Sequence, residues 1–169
     1  MRRQRALRAL CRDTLRGLDL DLPLDVSQLC GRYGERRGRP IRLIAHPLPA
    51  GMPNGVWLAA EDADYFFYQA NTSKLHQDQI VIHEFGHLIA GHQMLGEVHA
   101  SALSAPSDDD SDAALRRTCY SDEREWEAEM LASMILSWAA EARDTVGSTP
   151  ENADLRGIQR VLGGHKGWL

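Results

Sequence analysis

At 169 residues, with 43% hydrophobic and 25% charged side chains, the chain is long enough to bury one ordinary domain core, and a single domain over 1–169 is expected. No apolar run approaches the roughly 20 residues of a membrane span, which excludes a helical membrane protein. The formal net charge of −5 is unevenly placed: residues 1–42 carry eleven Arg against five acids, and residues 43–169 carry eight basic against nineteen acidic side chains. No base-reading motif accompanies the basic arm, so it reads as a solvated helix face, and no direct nucleic-acid binding is expected. Cys11, Cys30 and Cys119 are odd in number and form no C-x-x-C pair, which points to a reducing, cytoplasmic setting rather than a disulfide framework. The opening M-R-R-Q-R-A-L-R is interrupted by Arg8, Arg12, Asp13 and Arg16 before any signal-peptide apolar core can form.

Residues 1–40 read as a helical part. Leu7, Leu10, Cys11, Thr14, Leu15 and Leu18 fall on one stripe opposite Arg residues, predicting an amphipathic helix over 3–17 that stops at Gly17. Asp25 is the N-cap candidate of a second helix with the stripe Val26, Leu29, Cys30 and Tyr33, and residues 34–40, rich in Gly and Arg and closed by Pro40, read as a loop. A small sheet follows over 41–70. Its candidates are 41–46, 55–60 and 64–70, the last carrying the aromatic run Tyr65, Phe66, Phe67 and Tyr68. The short acidic link at 61–63 makes the last two an antiparallel hairpin. Three strands cannot bury both faces alone, so one face should rest on the next helix.

That helix, predicted over 74–93 behind N-cap candidates at 71–73, carries I-V-I-H-E-F-G-H-L-I-A-G-H. Within it His83, Glu84 and His87 form H-E-x-x-H. Residues four apart stack one turn above each other, so two imidazoles converge on one point while Glu84 stands beside them, suited to work on a metal-bound water. With seven His and ten Glu in the chain, shuffling would produce this motif in roughly 2 per cent of cases. The apolar neighbours Val81, Ile82, Phe85, Leu88 and Ile89 strengthen it, because burying a carboxylate and two imidazoles costs several kcal/mol unless they are paired or liganded. His76 shares the face of His83 two turns upstream, too far to join the same ion.

Residues 96–118 show no sustained periodicity and contain S-D-D-D-S-D, predicting a flexible acidic loop. A helix over 121–141 begins at Ser121 with acids in its first turn. One face combines Glu125, Ala128, Glu129 and Ala132, beside Trp126, Met130 and Trp138; Glu123 and Glu127 point away. A last helix is predicted over 151–162. A catalytic zinc takes three protein ligands and an open position. The third can come from His92 or from a carboxylate of the 121–141 helix; the spacing H-E-x-x-H-x-x-G-x-x-H fails, since Ala90 and Gln93 stand where Gly and His are required. Tyr120 and His92 are further candidates as donors to an oxyanion, with helix-start packing the plainer reading of Tyr120.

H-E-F-G-H-L-I-A-G-H followed, after a variable loop, by E-W-E-A-E-M-L-A-S-M-I-L resembles the ImmA/IrrE-type metallopeptidase family, whose pattern is H-E-x-G-H and then E-x-E-A-N/D-x-F-A-x-x-L-L. The likeness covers roughly residues 64–139. Glu129 stands where that family has Asn or Asp, and Leu131 where it has Phe. The resemblance implies an α+β zincin-like domain with a short, mainly antiparallel sheet of about three strands on a buried H-E-x-x-H helix. It also implies Zn(2+) held by His83, His87 and Glu125, with Glu129 orienting one imidazole and Glu84 as the general base. The implied activity is that of a cytosolic endopeptidase acting on a protein partner, a helix-turn-helix repressor or an antitoxin. The alternative is a zinc-containing regulatory or toxin-like binding protein without proteolytic activity. A deformylase-like hydrolase would need a Cys ligand upstream, where Cys30 instead belongs to a packing stripe.

Overall fold

The computed structural model describes residues 2–49, 51–92 and 120–147. The expected acidic loop at 96–118 and the last helix at 151–162 lie outside these residues. Among them are four helices, α1 (Arg2–Leu15), α2 (Val26–Arg37), α3 (Lys74–Ile89) and α4 (Asp122–Gly147), and three strands, β1 (Ile41–His46), β2 (Gly55–Ala59) and β3 (Asp64–Gln69). The class is α+β: a small sheet packed against several helices. No described helix is long and apolar enough to cross a membrane.

Local chemistry sets most boundaries. The Asp25 carboxylate caps α2 by accepting from the backbone N–H of Ser27 and Gln28, satisfying two donors the first turn leaves free. The expected loop over 34–40 is shorter than its composition implies. Gly34 remains helical because it packs on the chain turning back past it: a Cβ there would lie 3.0 Å from the Arg39 carbonyl oxygen. Gly38, at φ +68, ends α2. α4 runs beyond the expected 121–141.

The sheet has the order β1-β3-β2. β2 and β3 form the expected antiparallel hairpin, with Trp57 opposite Phe66, closed by a hydrogen bond from the Ala60 N–H to the Ala63 carbonyl. β1 lies on the other edge of β3 and runs parallel to it, Ile41 opposite Asp64 through His46 opposite Gln69. The sheet is therefore mixed rather than mainly antiparallel. With β2 already on one side of β3 through a tight link, the other edge of β3 was the one left to satisfy, and the long 47–54 connection lets β1 reach it.

Asp64 pins this corner. Its buried carboxylate accepts from the Trp57 indole N–H at 2.9 Å and from Arg39 Nε at 3.0 Å, and it pairs with Arg37 as well. The core joins the layers: Leu7, Cys11 and Leu15 of α1, Leu29 and Cys30 of α2, Trp57 and Phe66 of the sheet, Ile82 and Phe85 of α3, and Leu131 and Ile135 of α4 belong to one apolar cluster. α3 thus lies between the sheet and α4, with both its faces covered, as its nearly all-round apolar sequence requires.

Candidate metal centre

α3 begins at Ser73, whose hydroxyl accepts from the His76 N–H, and places His83 and His87 one turn apart with Glu84 beside them. Its partner helix comes unusually close. A Cβ on Gly86 would meet the Ala128 carbonyl oxygen at 2.7 Å and its Cα at 3.1 Å, so only glycine permits this approach, and Glu125, one turn before Ala128, is thereby brought over the two imidazoles. His83 Nε2 lies 3.2 Å from Glu125 Oε2, His87 Nε2 lies 3.0 Å from His83 Nε2, and His87 Nε2 lies 3.6 Å from Glu125 Oε2. These three residues form a group able to hold a metal ion.

The triangle fits a four-coordinate divalent ion. Ligand bonds of about 2.0–2.1 Å at tetrahedral angles separate donor atoms by about 3.3 Å, and the three edges bracket that figure. Comparison of the chain with protein-family models, curated proteins and solved structures gave no match. The chemistry therefore rests on the side chains themselves.

Their electrostatics favour a cation. Burial pushes the Glu84 carboxyl up to about 8, with the Glu125 charge adding to the rise and the Trp57 backbone N–H partly offsetting it. His87 is buried, and desolvation together with His83, His92 and Arg124 pushes it down to about 3, so it is a neutral imidazole of the kind that ligates metals. Glu84 Oε2 and the Tyr120 hydroxyl are buried and have no hydrogen-bond partner among the described residues. Both line a cleft of about 460 Å³ together with the three donors, Gly55, Trp57, His76 and Ala132. Orphaned polar atoms at a cleft wall are where a bound group would supply the missing partner. Gly55 makes room for Glu84, since a Cβ there would lie 2.5 Å from Glu84 Oε1 and from Ile80 Cγ2.

The remaining candidates separate clearly. Tyr120 stacks on His87, ring centroids 3.7 Å apart at 16°, while its hydroxyl faces the cleft; burial raises its pKa. Glu129 reaches only to 3.5 Å from His83 Nδ1 and is 70% exposed. His92 is not part of the donor triangle. The expected course of α3 to 93 stops short because Gly91, at φ +69, reverses the chain: the Gly91 N–H donates to Leu88 and the His92 N–H to His87, a Schellman ending. His92 is folded back onto His87, Nδ1 to Nδ1 at 2.9 Å. Glu127, expected to point away, meets His92 Nε2 at 2.9 Å, because that turn brings the ring round the flank of α4. His76 bonds the Thr72 hydroxyl at 2.8 Å, upstream of the donors.

Proposed function

We propose that the chain is a zinc-dependent endopeptidase of the ImmA/IrrE type with a zincin-like fold. The observation that carries the reading is a buried carboxylate, Glu84, with an unpartnered oxygen in the same cleft as a three-donor metal cluster. His83, His87 and Glu125 would hold the ion, leaving a position open to solvent and substrate. Zinc bound there supplies Lewis acidity toward a carbonyl and lowers the pKa of water toward neutrality.

The chain's own residues would do the rest. Beside a held cation the ionised form of Glu84 would be favoured against the rise that burial imposes, and from that form Glu84 would accept a proton at its orphaned oxygen and could return it to the departing amine. The Tyr120 hydroxyl is free to donate toward charge developing on the substrate carbonyl. Among the described residues β2 is an edge strand, and its Gly55, Val56 and Trp57 line the cleft, so an extended segment can add to it through backbone hydrogen bonds while its side chains enter the cleft. That mode of binding suits a flexible stretch of a protein partner, a helix-turn-helix repressor or an antitoxin.

A second reading, a metal-holding regulatory protein that does not cleave, is favoured by the donor triangle standing complete without Glu84. Glu84→Gln separates the two. Wild type and variant, matched for zinc content, are incubated with a denatured proteome and new chain termini are mapped by mass spectrometry. Endopeptidase action gives termini with the wild type that vanish in the variant, whereas no wild-type-specific termini favours the binding protein.

A further inference from the structure

His92 and Glu127 have no place in the donor triangle, yet both are spent on it. His92 is 5% exposed and touches His87 through Nδ1 and Glu127 through Nε2. The other Glu127 oxygen accepts from Arg3 Nε at 2.7 Å, and Arg3 also pairs with Glu123 and lies 5.6 Å over the Trp126 ring. The row thus crosses three elements, from α1 through α4 and the turn after α3 to the nitrogen beside the cleft.

The direction of its hydrogen bonds follows from the carboxylate end. An ionised carboxylate only accepts, and Glu127 is paired in that form with the Arg3 guanidinium, whose Nε donates to it at 2.7 Å. His92 must then donate from Nε2, which leaves its Nδ1 as an acceptor in the neutral ring. The contact at 2.9 Å between the two Nδ1 atoms needs one proton, and His87 supplies it. With its proton on Nδ1, His87 presents a lone pair at Nε2, the atom in the donor triangle. Tyr120, stacked on the ring, fixes its plane.

We propose that Arg3, Glu127 and His92 form a directional relay of positioning residues that sets His87 as the Nδ1–H tautomer, so that the first helix helps prepare the metal-facing nitrogen. This inference rests on the metal centre proposed above. A carboxylate bonded directly to a ligating imidazole is a common arrangement; here a second imidazole stands between them, and an arginine from α1 orients the carboxylate. The exposed Arg3 pairs add little stability; their effect is on orientation.

The test uses the full chain, 15N-labelled and stripped of metal, with ring tautomers read at pH 8 from long-range proton–nitrogen correlations. The expected result is a proton on Nδ1 of His87 and on Nε2 of His92 before any zinc is added. Zinc affinity by chelator competition should then fall about 10–100-fold in Glu127→Gln, fall less in Arg3→Gln, and stay unchanged in Glu35→Gln, an exposed carboxylate of α2 away from the centre, with thermal melts confirming that each variant folds. A proton on Nε2 of metal-free His87, or wild-type zinc affinity in a folded Glu127→Gln, overturns the relay. Failure of the wild type to bind zinc would defeat the metal centre while leaving the tautomers to be judged alone, and normal zinc binding with the opposite tautomer would defeat the relay only.

Discussion

Replacing Gly86 by alanine adds one methyl group at the closest approach of α3 and α4. The new carbon would sit 2.7 Å from the Ala128 carbonyl oxygen, where carbon–oxygen contacts settle at about 3.3–3.6 Å, so the helices must part by roughly 0.6 Å or more. Overpacking of that size costs about 1–3 kcal/mol, and the helical preference of alanine over glycine returns about 0.5–1 kcal/mol, leaving a net loss of about 0–2.5 kcal/mol, about 1 kcal/mol at mid-range. Gly31 is the internal control: it is helical, exposed and has nothing within 4 Å of its Cβ position, so Gly31→Ala should gain about 0.5–1 kcal/mol. Glu125 moves with α4 and the donor edges lengthen. Since about 1.4 kcal/mol of strain is tenfold in affinity, zinc should bind Gly86→Ala about tenfold more weakly or worse. Urea unfolding of the metal-free proteins and chelator competition measure both effects. If Gly86→Ala matched Gly31→Ala in stability and kept wild-type affinity, the close helix contact would be refuted as the feature that sets the site.

Gly55→Ala should leave zinc binding near wild type and abolish the hydrolysis that depends on Glu84, because its methyl group claims the space of Glu84 Oε1; retained hydrolysis would refute the placement of Glu84, and zinc content with terminus mapping reads both. Burial pushes the thiols of Cys11 and Cys30 up to about 11 and about 12. A thiol raised above its unfolded value contributes stability that is fully present below about pH 8.5 and is lost as pH rises toward the folded value, at up to about 1.4 kcal/mol per pH unit for each thiol. Denaturant unfolding between pH 8.5 and 10.5 should therefore show a steeper fall for the wild type than for Cys11→Ala/Cys30→Ala, and parallel slopes would contradict the burial of both thiols.

The two-imidazole half of the site was legible because it is local: the helical period alone stacks His83 on His87, and the apolar residues around them announce a buried helix. Glu125 lies 42 residues from His83 in sequence, and no periodicity links the two; the signal that joins them is Gly86 facing Ala128, a packing fact that a glycine inside an apolar run only hints at. The hairpin was readable from the acidic link after Ala60, whereas the parallel pairing of β1 with β3 depends on which edge of β3 remained open. The end of α3 was written at Gly91, but the apolar run continues right up to Ala90, immediately before that glycine, and so outweighed it. Glu127 does face away from Glu125, as expected, but its partners were hidden for a related reason. Helical geometry puts it away from the Glu125 face, and only the turn of His92 and the arrival of Arg3, 124 residues away, give it partners.

The central claim is that His83, His87 and Glu125 hold one divalent ion, and metal analysis after zinc loading and exhaustive buffer exchange, wild type beside Glu125→Ala, tests it most directly. One zinc per wild-type chain, with the variant losing it under the same exchange while keeping its fold by circular dichroism, is the expected outcome. Equal, tightly held zinc in both would contradict the claim and remove Glu125 from the centre.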